Sequence, residues 1–278
     1  MVVAPLTLTC LALATLFVAA LPIVLYRRLR HPLALNARDA IAGIAVFALF
    51  AMVIERALNG YVLHQNGTTA AWLSNPVAFV IYGALAAGVC EEVGRFIAMR
   101  LMWRRAVAAS ASTSTTAARP ATTASGDGTA LGYGIGHGGA EAWIVGVLVQ
   151  VQWIVFAVVE NRGQLGAYLG NVPVDSLMRI HLILAGLSPH MAGIFVLERV
   201  AALVFQIGLS VLMWRGVRAG WRGILPLAIV VHALVDVPAA LFQARVLPLF
   251  AVDGMYVLLA LIVAGALVKL FQPSARTA

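Results

Sequence analysis

Seven apolar runs, each about 20 residues long, divide this sequence of 278 residues. A run of that length spans a bilayer as an α-helix, because a rise of about 1.5 Å per residue covers a hydrocarbon core of about 30 Å. The runs lie at about 5–26, 40–58, 76–103, 130–160, 190–214, 224–246 and 247–270. The sequence therefore predicts an all-α membrane helix bundle, with about seven transmembrane helices in a single domain over residues 1–278.

Composition and charge agree with a membrane location. With 62% hydrophobic and 11% charged residues, the chain has too little polar surface for a soluble globule. The basic residues that flank the helices account for the net charge of +8, so no nucleic-acid partner is needed to explain it. If seven helices cross the membrane in alternating directions, most of the basic residues that flank them lie on one side of the membrane. Only four lie on the other side: Arg56, Arg162, Arg179 and Arg245. The positive-inside rule therefore predicts an N-terminus outside and a C-terminus in the cytoplasm.

A low-complexity stretch rich in Ala, Ser and Thr separates the third and fourth runs. It covers about 106–129 and has too few large apolar residues to bury a face. We therefore expect a flexible cytoplasmic linker that interrupts the bundle without forming a second domain.

The third run contains "CEEVGR", which places three ionisable side chains inside an apolar helix. A charged side chain at the centre of a membrane helix costs about 2.5–3.5 kcal/mol, so such residues are typical of functional sites. Arg95 follows Glu91 by four residues and Glu92 by three, so one guanidinium can lie between both carboxylates on a single helical face. A structural salt bridge that fixes helix packing is the alternative.

The fourth run contains "GYGIGHGGAEAW", in which His137 and Glu141 lie four residues apart on the same face. Five glycines surround the histidine. Small residues let membrane helices approach closely, and here they also leave room for a substrate or water. A histidine whose hydrogen bonds are satisfied in the core is the alternative.

The fifth and sixth runs contribute further polar residues. His232 and Asp236 are again four apart, a spacing that lets the carboxylate orient the imidazole. Glu198 and Arg199 are adjacent and point in different directions, so each needs a partner on another helix. We interpret this second pair as a secondary polar site.

The depth of these groups in the membrane predicts that they meet. Counted from the cytoplasmic helix ends, Glu91 and Glu92 lie about 11–12 residues deep, His137 about seven and His232 about eight. At about 1.5 Å per residue, these levels agree within roughly one helical turn. Two histidines and several carboxylates at one level predict either a general-base site or a metal site.

The combined order of "EEVGR", "GHGGAEA", "ER" and "HALVD" over about 76–240 resembles the bacterial YhfC-type membrane proteins. These are grouped with the CAAX-protease and bacteriocin-processing clan of glutamic intramembrane proteases. The resemblance implies a general base at Glu91, orienting neighbours at Glu92 and Arg95, a second water-activating group at His137, and a late-helix site at His232 and Asp236. It also implies a multi-pass protein of the bacterial cytoplasmic (inner) membrane.

The sequence departs from the clan's pattern at two positions. Two residues separate Glu92 from Arg95, where the clan commonly has three. Asp236 stands where the wider clan often has Asn, and an ionised aspartate does not stabilise an oxyanion. Its pairing with His232 is the role that the spacing offers.

These observations favour an intramembrane endopeptidase of the glutamic type, which uses no cofactor and acts on a membrane-embedded peptide or protein. A metal-dependent version makes His137, His232 and Glu91 ligands of a zinc ion, with Glu92 or Glu141 as further candidates. The alternative from another class is a non-catalytic scaffold or a proton- or ion-coupled transporter with the same fold, since buried acidic and basic groups also form proton relays.

Overall fold

The computed structural model describes residues 2–112 and 126–271, and every regular element in these two ranges is a helix. The helices long and apolar enough to span a membrane are Pro5–Leu29 (α1), Ala37–Gln65 (α2), Pro76–Ser112 (α4), Asp127–Asn161 (α5), Pro189–Arg218 (α8), Ile224–Gln243 (α9) and Leu249–Phe271 (α10). Shorter helices connect them at Gly67–Trp72 (α3), Leu165–Leu169 (α6) and Val174–Gly186 (α7). The predicted all-α bundle with seven membrane-spanning helices is confirmed.

Helix α2 continues to Gln65, well past the boundary predicted near residue 58. The polar residue just after that boundary, Asn59, has partners inside the bundle. Its side chain donates to Glu55 Oε1 at 3.2 Å and accepts from the Tyr82 hydroxyl at 2.6 Å. Because these polar atoms are satisfied, the helix does not need to end there. Two π-helical stretches, Phe50–Glu55 and Tyr61–Gln65, interrupt its regular hydrogen bonding.

The linker predicted over 106–129 overlaps the ends of two helices. Helix α4 extends to Ser112, and α5 begins at Asp127. The middle of the predicted linker, 113–125, lies outside the described residues.

Helix α5 lies between α2 and α8, and its glycines allow the close approach on both sides. A Cβ at Gly136 would overlap the main chain of Ala40 in α2. A Cβ at Gly138 would lie 2.9 Å from Cβ of Gln206 in α8. The prediction that small residues around the histidine serve close packing therefore agrees with the structure.

Helix α9 packs along α4 in the same way. A Cβ at Gly88 would lie 3.1 Å from the carbonyl oxygen of Ile229, so only a very small residue fits between the two helices. Helix α8 contacts α1, α4, α5, α9 and α10 and thus forms the middle of the bundle. The segments of α4, α5, α8 and α9 that carry polar side chains consequently face one another.

Candidate active site

Helix α4 places Glu92 and Arg95 in the interior, where both side chains are fully buried. Arg95 Nε donates to Glu92 Oε2 at 3.0 Å and to Oε1 at 3.1 Å. The prediction that the guanidinium lies between both carboxylates of the helix is therefore wrong for Glu91. The other two guanidinium nitrogens bind α8 instead, at the carbonyl oxygen and the side chain of Gln206 and at the Ser210 hydroxyl.

Glu91 pairs with the histidine of α5. The distance from Glu91 Oε2 to His137 Nε2 is 2.9 Å, and His137 is fully buried. An ionised carboxylate only accepts hydrogen bonds, so Nε2 carries the proton of this bond. Two aromatic rings contact the imidazole: its centroid lies 5.3 Å from that of Phe47, which is T-shaped to it, and 5.9 Å from that of Tyr133, which is stacked. The ring is thus fixed by aromatic packing and by a carboxylate at Nε2.

Glu92 pairs with the histidine of α9. His232 Nδ1 lies 2.8 Å from Glu92 Oε1, and His232 Nε2 lies 3.5 Å from Asp236 Oδ2. Adjacent glutamates on α4 therefore bind histidines from two different helices. The structure brings together the α4 pair and both histidines, as the depth comparison predicted, and Asp236 lies beside them.

Glu141, four residues after His137 on α5, also belongs to this network. Glu141 Oε1 lies 3.4 Å from Arg199 Nη1, so the arginine has the partner on another helix that its position predicted. The neighbouring Glu198 lines the same cavity as Glu141 and Arg199. The secondary polar site is consequently continuous with the main one.

Sequence reasoning missed Gln206 and Ser210 on α8 and Glu55 on α2. Gln206 Nε2 donates to Glu91 Oε2 and to Glu141 Oε2, both at 3.0 Å. A signal was present, since Gln206 follows Arg199 by seven residues and Ser210 follows Gln206 by four, which is the spacing of one helical face. For Glu55 the signal was its carboxylate within an apolar run.

A cavity of about 320 Å³ adjoins these groups within the membrane-spanning part of the bundle. Its polar lining contains five carboxylates, an arginine and a histidine among other groups: Glu55, Glu91, Glu141, Glu198, Asp236, Arg199 and His232. Apolar and aromatic side chains such as Phe47, Phe205 and Tyr256 complete the wall. The buried Glu92, Arg95 and His137 lie behind the lining residues. Glu91 and His232 are thus the members of the two ion pairs that meet the cavity.

The donor atoms do not form a metal-binding group in this arrangement. The histidines and the α4 glutamates are matched one to one, and Arg95 Nη2 lies 3.5 Å from His137 Nε2. Among the side chains of the described segments, no group of three or more His, Cys, Asp or Glu residues is placed to hold a metal ion. The set proposed for zinc, His137, His232 and Glu91, therefore does not fit a shared ion as these side chains stand.

Comparison with known proteins gives two matches. A sequence model of a family described as "YhfC intramembrane metalloprotease" matches residues 17–257. A protein of Bacillus subtilis (strain 168), named "Uncharacterized membrane protein YhfC", is 32% identical over 206 residues, which cover 74% of this chain and 73% of that protein. No solved structure matches the chain.

Proposed function

Because the chain belongs to the YhfC family of membrane proteins, we propose that it is an intramembrane endopeptidase of the bacterial cytoplasmic membrane. The observation that carries the proposal is Glu91, a carboxylate that lines a cavity inside the bilayer region while a fully buried histidine holds it. A general base needs this combination of access and fixed orientation. Peptide segments within or at the surface of the membrane are the substrate class that such a cavity admits.

In this proposal Glu91 removes a proton from a water molecule in the cavity. The water oxygen bonds to the carbonyl carbon of the peptide, and the carbonyl electron pair moves to its oxygen. When the C–N bond breaks, the leaving nitrogen takes the proton that Glu91 holds, and the carboxylate is restored. His137 Nε2–H keeps one oxygen of Glu91 occupied and stabilises the ionised form between cycles.

His232 is the candidate for stabilising the oxyanion. Glu92 binds its Nδ1, which leaves Nε2 as the ring nitrogen that faces the cavity. In the doubly protonated ring, Nε2–H donates a hydrogen bond to the negative oxygen of the tetrahedral intermediate. Asp236 Oδ2 also lies 3.5 Å from Nε2, so in the resting site this carboxylate faces the same N–H group that the oxyanion takes over.

The proposal uses no metal ion, although the family's description names a metalloprotease. The one-to-one pairing of the two α4 glutamates with the two histidines supports the glutamic mechanism, because each glutamate already binds a different imidazole ring. In this arrangement the donor atoms of the described residues do not converge on an ion.

The direct test is cleavage of a membrane-embedded peptide library by the reconstituted protein, read by mass spectrometry. We expect cuts with the natural protein, and a loss of about 10²–10⁴-fold or more in Glu91→Gln, because the amide is nearly isosteric but takes no proton. The matched control is Glu160→Gln, since Glu160 pairs with His181 away from the cavity. It should keep its activity.

Three outcomes would contradict parts of the proposal. Retained cleavage in Glu91→Gln would remove this residue from the chemistry. Activity that disappears with a chelator and returns with zinc would refute the mechanism without metal. No cleavage by the natural protein, together with uptake that depends on a pH gradient in proteoliposomes, would indicate a transporter.

A further inference from the structure

The side chain of Gln206 binds Glu91, the proposed base, and also its neighbours Arg95 and Glu141. Only 5% of the residue is exposed, and its side chain binds residues of two neighbouring helices, α4 and α5. The amide nitrogen donates to Glu91 Oε2 and Glu141 Oε2, both at 3.0 Å, while the amide oxygen accepts from Arg95 Nη2. Its main-chain oxygen also accepts, from Arg95 Nη1 at 3.1 Å and from the Ser210 hydroxyl at 2.7 Å.

The neighbours of this amide allow only one orientation. A guanidinium has donors and no acceptor, so the oxygen of the amide must face Arg95. Ionised carboxylates have acceptors and no donor, so the NH₂ group must face Glu91 and Glu141. A flipped amide would place its NH₂ group against the guanidinium and its oxygen against the two carboxylates, and both contacts would be repulsive. The assignment therefore follows from the chemistry of the three partners.

This orientation determines which oxygen of Glu91 is available. Oε2 receives hydrogen bonds from His137 and from Gln206. Among the residues that the structure describes, no donor reaches Oε1, and Glu91 lines the cavity. A carboxylate held at one oxygen by two donors from different helices cannot rotate freely. Its second oxygen remains available to a water molecule.

We propose that Gln206 is the positioning residue of the site, which holds Glu91 so that Oε1 serves as the proton acceptor. The inference rests on the proposed function and adds a residue that acts through the base, which its amide nitrogen binds at 3.0 Å. It also explains why an amide is present among five carboxylates. Gln206 is the neutral donor that separates Glu91 from Glu141, which would otherwise meet with like charges.

The side chain tolerates few replacements. Glu at this position still accepts from Arg95, yet it donates nothing and puts a third carboxylate between two others. Met has a similar length but neither donates nor accepts strongly, so it releases Glu91 without adding charge. Gln206→Glu therefore tests the donor with the arginine contact kept, and Gln206→Met tests it without a new charge.

The first experiment measures cleavage kinetics of the reconstituted full-length protein. We expect Gln206→Glu to lower kcat by about 10²-fold or more and to change KM by less than about threefold, because a misplaced base affects the transition state more than substrate binding. The control is Gln150→Glu, the same change at a buried glutamine outside the cavity. It should keep its kcat. Unchanged kcat in both Gln206 variants, once folded protein is quantified, would overturn the inference.

A second readout does not depend on turnover. The infrared band of the Glu91 carboxylate is obtained as the difference between the natural protein and Glu91→Gln. The same difference taken in a Gln206→Met background should show the band shifted, because one donor to Oε2 is gone. An unshifted band would overturn the inference. A shifted band in a protein that cleaves nothing would refute the proposed function and still support the placement of Glu91 by Gln206.

Discussion

Arg95 organises the site at the level of single residues. It is a fully buried cation whose guanidinium contacts Glu92 on its own helix and Gln206 and Ser210 on α8. A buried charge is stable only when it is paired and hydrogen-bonded, and Arg95 meets both conditions. Its planar fork of donors is what allows contacts in three directions.

We expect Arg95→Met to lower the free energy of unfolding by about 3–5 kcal/mol, because the buried Glu92 carboxylate loses the guanidinium that donates to both of its oxygens and keeps only His232 as a partner. The measurement is unfolding in mixed micelles followed by circular dichroism. Arg199→Met is the matched control, since Arg199 borders the cavity and pairs at 3.4 Å. It should cost less than Arg95→Met, because both side chains of this pair keep some exposure, 20% and 17%, and their contact is longer. Equal losses in the two variants would contradict the structural role given to Arg95.

Sequence spacing predicted the contact between Glu92 and Arg95 but could not exclude the one between Glu91 and Arg95. Both spacings are favourable on an isolated helix. The outcome depends on Gln206 and Ser210, which are more than 100 residues away along the chain and occupy two guanidinium nitrogens. Such competition between helices has no local signal in the sequence.

At the scale of elements, α5 is the helix on which the site depends most. It carries His137 and Glu141 and packs closely on α2 and α8. The approach to α2 is so close that main chains touch at Gly136. A change in this packing would move the histidine relative to Glu91 on α4.

We expect Gly136→Ala to destabilise the protein by about 1–3 kcal/mol, because the added methyl group overlaps the main chain of Ala40. Gly265→Ala in α10 is the control, since a Cβ there meets nothing within 4 Å. That change should be neutral or stabilising by up to about 1 kcal/mol, as expected for alanine in place of glycine in a helix. Thermal unfolding in detergent compares the two. Equal midpoints would show that the α2–α5 contact is not tight.

The helices themselves were predictable, because length and apolarity alone define a membrane span. The residues at which the helices end were less predictable. The end of α2 was placed too early because Asn59 resembles a loop residue, and its partners Glu55 and Tyr82 become visible only in three dimensions. Glu55, which lines the cavity, is the last residue of a π-helical stretch, and that stretch likewise had no sequence signature.

For the whole molecule, four helices assemble one site. Helix α4 supplies two adjacent glutamates, α5 and α9 each supply a histidine, and α8 supplies the amide and hydroxyl that anchor the arginine between them. The predicted orientation, with the N-terminus outside, stays a prediction. The central claim is that the pair formed by Glu91 and His137 acts as a single catalytic unit.

A double-mutant cycle on kcat/KM for cleavage of a membrane-embedded peptide tests that claim most directly. We predict that Glu91→Gln and His137→Asn each lower kcat/KM by about 10²–10⁴-fold, and that the double variant is no worse than the more damaging single change. When two residues act as one unit, the first substitution already abolishes their joint contribution, so the second adds no further loss. Independent, multiplicative losses in the double variant would contradict the account.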